Sequence, residues 1–82
     1  MNKDQRKIIE DEVNRLLERM EKREDRIDKA VAAGDTERVK IYERNDMKDQ
    51  AKLAGIDFVL GYLGYHRHWD SKTDKNILVK FD

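Results

Sequence analysis

At 82 residues the chain has room for one domain, near the size at which a single core barely suffices; a charged share of 44% against 38% hydrophobic suits long solvated helices better than a fold enclosing an enzyme cleft. Lysine plus arginine equals aspartate plus glutamate, so no net charge draws the protein to nucleic acid or anionic lipid. Cysteine is absent, which excludes disulfides and thiolate chemistry and agrees with a reducing compartment.

Residues 1–6 are polar, no signal-like apolar run follows them, and no segment reaches transmembrane length, so the expected location is the cytoplasm with no membrane partner. Proline is absent and glycine first occurs at Gly34, leaving the opening third without a breaker. A first helix is expected over 2–33, capped by Asn2 with Gln5 three residues later. Ile9, Val13, Leu16, Met20, Ile27 and Ala30 recur at spacings of three and four, the seam of a coiled-coil-like helix, and Leu17 and Val31 widen it. One seam position, Arg23, is charged. The opposite face carries acid-before-base pairs such as Glu18 with Lys22, and belongs in water.

Gly34 followed by Asp35 joins a helix stop to a helix start, because glycine accepts the left-handed position after a helix and aspartate caps the next one. The second helix is expected over 35–64, with its own seam at Val39, Tyr42, Asp46, Asp49, Leu53, Ile56, Leu60 and Leu63. An antiparallel turn at Gly34 and Asp35 sets Ala30 opposite Val39, Ile27 opposite Tyr42, Met20 opposite Asp49, Leu16 opposite Leu53, Val13 opposite Ile56 and Ile9 opposite Leu60. It also sets Arg23 opposite Asp46. A lone basic seam residue meeting an acidic one is what a hairpin with a defined register requires.

The second helix bears another apolar stripe on its far side: Met47, Ala51, Ala54, Phe58, Gly61 and Tyr65, with Tyr62 beside it. Beyond the helices lie a polar connector and an apolar, β-prone run, Ile77, Leu78, Val79 and Phe81, together spanning 65–82. The expected fold is therefore all-α: one domain, 1–82, built as an antiparallel two-helix hairpin that dimerises into a four-helix bundle, with a short extended C-terminal tail. The stripe calls for a cover, and both a second copy of the chain and the tail from Ile77 to Phe81 are expected to supply it, the second copy dominant because the tail is too short to hide the whole stripe, with Met47, Ala51, Ala54, Phe58, Tyr62, Tyr65 and Trp69 as dimer or partner interface.

Chemistry-bearing clusters are few. His66, His68 and Asp70 would project to one side of an extended segment, as three ligands of an open zinc site could, but no fourth ligand accompanies them; polar residues after a helix end explain them as well, and no metal or cofactor is expected. Lys40, Arg44, Lys48 and Lys52 form a basic row along which phosphates could lie, although a solvated face balanced by Glu43 and Asp49 is the favoured account of it. With one serine, Ser71, no cysteine and no glycine loop opening a helix after a strand, the chain is not expected to be an enzyme.

The helical hairpin with its glycine-acid hinge, closing on Gly55, Ile56, Asp57, Phe58, Val59, Leu60, Gly61, Tyr62, Leu63 and Gly64, resembles small open reading frames of phages and mobile elements of Gram-positive bacteria, over roughly residues 10 to 64. That resemblance implies a protein that binds and inhibits a host or defence protein. The expected function is a small homo-oligomeric protein–protein interaction module, of the phage-inhibitor kind. The alternative is a nucleic-acid-binding accessory protein acting through the basic row.

Overall fold

The computed structural model describes residues 1–81; Asp82, the last residue of the expected tail, lies outside the described residues. Helix α1 runs over Lys3–Ala32 and helix α2 over Thr36–Tyr62. The first start is a reciprocal capping box, in which the Gln5 amide donates to Asn2 Oδ1 at 2.8 Å and the Asn2 amide donates to Gln5 Oε1 at 3.0 Å. The hinge closes as a Schellman motif: the Asp35 amide bonds the Ala30 carbonyl at 2.9 Å, the Gly34 amide bonds that of Val31 at 3.1 Å, and Gly34 sits at φ 71°. Asp35 then caps α2 by accepting from the Arg38 amide.

The two helices form the expected hairpin, but the chain is not all-α. Residues that the sequence presents as a polar connector and a tail fold into a second hairpin: strand β1, Tyr65–Asp70, pairs antiparallel with strand β2, Lys75–Lys80. The turn between them is held by Asp70, whose carboxylate accepts from the Lys72 amide and the Thr73 hydroxyl, and by Asp74 in the left-handed region at φ 57°. Aspartate tolerates that region with little strain, so no glycine is needed there. Polar bonds fix the hairpin to the helices. Arg67 clasps Asp57 of α2 at 2.6 and 2.9 Å, Asn14 of α1 exchanges two bonds with the Asn76 backbone at 2.8 and 2.9 Å, and Arg6 donates to the Leu78 carbonyl.

The core lies where this hairpin closes on the helix pair. Val13, Leu16, Leu60 and Leu78 are buried, as is Tyr65, with Ile9 and Ile56 packed against them. Leu78 thus covers the inner seam of α2 and leaves its outer stripe alone. Tyr65, expected on the exposed interface, belongs to the chain's own core.

Midway along the helices the interior is ionic. Asp49 is 7% exposed and receives Arg19 through Nη2 at 2.7 Å and Nε at 3.2 Å, while Arg23 Nη1 approaches it at 2.6 Å. The expected pairing of Arg23 with Asp46 is present but longer, at 3.5 Å. Hydrogen bonds from Arg19, reinforced by Arg23, hold the Asp49 carboxyl below the usual aspartate range against the opposing effect of burial.

Candidate interaction surface

Because the β-hairpin packs on one side of the helix pair only, the opposite side stays open. There Ile8, Ile9 and Glu12 of α1 and Lys52, Gly55, Ile56, Val59, Leu60 and Leu63 of α2 line a groove of about 530 Å³. Its floor is aliphatic: Ile9, Ile56 and Leu60. Its rim is exposed, with Ile8 at 68%, Val59 at 54% and Leu63 at 52%. At one end Lys52 Nζ meets Glu12 at 2.8 Å, and that bond holds the Glu12 carboxyl below its ordinary range.

Around α2 from the groove lies the outer stripe. Met47 is 70% exposed, Phe58 77% and Tyr62 87%, and Ala51 and Ala54 between them are open as well. Trp69, also expected at an interface, is exposed on β1, away from the stripe. The structure therefore brings Met47, Ala51, Ala54, Phe58 and Tyr62 onto one continuous face, and separates Tyr65 and Trp69 from it. Groove and stripe adjoin along about the last three turns of α2, so the helix is apolar on two flanks besides its seam.

Ile8, Val59 and Leu63 were not singled out as surface residues by the sequence pattern, since Ile8 neighbours a seam residue, Val59 sits in a stretch apolar all round, and Leu63 reads as seam. The signal that could have found them is that stretch itself. A helix buried on one face needs about a third of its circumference apolar, and residues 56–63 carry far more.

The remaining candidates are placed as follows. Lys40, Arg44 and Lys48 point to solvent with no carboxylate within 4.0 Å among the described residues, whereas Lys52 is engaged by Glu12. His66 contacts the Phe81 ring at a centroid distance of 4.9 Å, and the Asp70 carboxylate is occupied by its own turn. Among the described residues no three His, Cys, Asp or Glu side chains are grouped to hold a metal ion, so the structure does not bring His66, His68 and Asp70 together as ligands. No helix is long and apolar enough to cross a membrane, among the same residues. Comparison with protein-family models, with curated proteins and with solved structures yields no match, so the reading of function stands on this geometry.

Proposed function

We propose that the protein is a small, self-associating protein–protein interaction module whose working surface is the C-terminal half of α2, acting in the manner of an inhibitor that occupies a surface of another protein. The observation that carries this reading is the exposure of Met47, Phe58, Val59, Tyr62 and Leu63 along the second half of the α2 segment, with Ile8 of α1 across the groove from Val59. Burying such side chains against a partner is worth roughly 1.5 to 3 kcal/mol each, and helix-lined apolar grooves are a recurrent seat for an amphipathic partner helix.

Site-specific photocrosslinking tests the reading. A photoreactive residue at Val59 is expected to yield a discrete protein adduct in cells of the native host, and the same group at Glu21, on the helix α1 surface, is expected to yield none. Equal labelling at both positions, or no adduct at Val59, would contradict a working surface there.

A second reading draws on Lys40, Arg44 and Lys48, which have no ion-pair partner among the described residues. As a phosphate-binding row they would give nucleic-acid retention that falls steeply between 50 and 200 mM salt, in the way counterion release requires. Retention that is absent at the lower salt removes this alternative.

A further inference from the structure

We infer that two copies pair through their α2 helices in antiparallel register, with the twofold axis passing between Ala54 and Gly55, so that Ala51 meets Phe58 of the second copy and Met47 meets its Tyr62. The inference rests on the self-association proposed above, and adds the surface, direction and register of the pairing.

The first support is position. Asp49, Leu53, Ile56 and Leu60 face α1, and at 3.6 residues per turn the point between Ala54 and Gly55 faces directly away from them. Nothing among the described residues stands over it: Phe58 is 77% and Tyr62 87% exposed, and the β-hairpin is anchored on another flank through Asp57. A second helix can therefore lie along this stripe without displacing anything.

The second is shape. Folded back on itself about the Ala54–Gly55 point, the stripe sets a small residue, Ala51, against a large one, Phe58, and leaves only Ala54 and Gly55 at the centre. Two helices crossing at about 20° come closest at one point and splay toward their ends. Small residues at the crossing with Met47 and Tyr62 at the ends fit that geometry, and a twofold interface has to be self-complementary in this way.

The third is glycine. Gly55 lies inside a helix, where glycine weakens helical structure relative to alanine. A Cβ built on it would meet no atom of the described residues within 4 Å, so nothing described within one copy calls for glycine. A neighbouring helix backbone at close range would.

Area and charge agree. Met47, Phe58 and Tyr62, 70%, 77% and 87% exposed, offer roughly 450 Å² of side chain between them, and Ala51, Ala54, Gly55 and the stems of flanking lysines bring the face toward the ~800 Å² per partner of a stable interface. None of Met47, Ala51, Ala54, Gly55, Phe58 and Tyr62 is charged, and the chain's net charge is zero, so pairing buries no ion and opposes no net repulsion. The groove lined by Ile8, Val59 and Leu63 stays on the flank of such a dimer, available to a different protein.

Because the chain has no cysteine, single introduced thiols report the register directly. Under mild oxidation Ala54→Cys is expected to form a disulfide-linked dimer at least tenfold faster than Glu21→Cys, since the Cα atoms at the axis fall within disulfide reach. Met47→Cys alone and Tyr62→Cys alone are expected not to link, because in antiparallel register each lies about 22 Å from its own counterpart, whereas the two mixed are expected to link. A mixture of Ala51→Cys and Phe58→Cys checks the same register without altering the axis. If Met47→Cys or Tyr62→Cys links to itself while light scattering reports a dimer, the copies are parallel and the register fails although self-association stands. A dimer in which none of these thiols links places the contact on another face, and a monomer at 100 µM overturns the pairing altogether.

Discussion

Replacing Asp49 with alanine should destabilise the fold more than any other substitution of a charged residue. Asp49 is 7% exposed and accepts bonds from two arginines, at 2.7 Å from Arg19 and 2.6 Å from Arg23. Removing it returns Arg19, half exposed, to water at little cost, but leaves the Arg23 side chain, 11% exposed, with only Asp46 at 3.5 Å. Taking one partner from a buried ion pair costs about 3 to 5 kcal/mol, and the residual Asp46 contact places the expected loss near the lower limit, about 3 kcal/mol. Against a total of roughly 4 to 12 kcal/mol for a domain of this size, that is a large fraction. It corresponds to a fall in Tm of roughly 12 to 24 °C, followed by circular dichroism. The paired change Asp49→Leu with Arg23→Met removes both charges and should recover most of the loss. Asp46→Ala should cost only about 1 kcal/mol, because its contact is long and more exposed. A loss under about 0.5 kcal/mol for Asp49→Ala would mean that the cluster is effectively solvated, and would refute the claim that it sets the helix register.

The ion cluster and the junction of sheet and helices set three further outcomes. The arginines lower the folded-state pKa of Asp49, so its contribution is complete above the unfolded value near pH 4 and is lost as pH falls through the folded value; a denaturant titration at pH 2 to 5 should show wild-type stability dropping with acid, and a shallower drop in Asp49→Ala. Leu78→Ala removes a fully buried side chain from the junction of sheet and helices, and should cost roughly 2 to 5 kcal/mol, with near-ultraviolet signals of Tyr65 and Trp69 weakening before helicity does. Asn14→Ala deletes both bonds to the Asn76 backbone and should cost about 1 to 2 kcal/mol, read as faster amide exchange in β2 with unchanged exchange around the Gly34 hinge.

What the sequence made legible is the helical hairpin, because its information is local. Asn2 and Gln5 sit in capping-box spacing, Gly34 and Asp35 stop one helix and start the next, and the seams repeat at three and four. β2 was legible as a strand through Ile77, Leu78 and Val79. β1 was not. Its residues, Tyr65 to Asp70, alternate no apolar face, since what holds the strand is a guanidinium on Asp57 and a ladder to β2, both invisible to hydropathy. The turn was hidden too, with Asp74 in a conformation usually flagged by glycine or asparagine. Arg19 gives no hydropathic signal because it flanks the seam beside Met20 and reaches in along its stem; the acidic Asp49 within an apolar seam is the clue that a second cation is needed. Tyr65 was assigned to the outer stripe because the helical period was carried past Gly64, where the chain in fact turns into β1.

Self-association through the outer stripe of α2 is the central claim, and the mass of the protein in solution tests it most directly. Light scattering across 1 to 100 µM is expected to give a species of twice the 9.8 kDa chain mass, and Phe58→Asp to give the single-chain mass with helicity retained. Wild-type protein that stays at 9.8 kDa through the whole range would contradict self-association through α2.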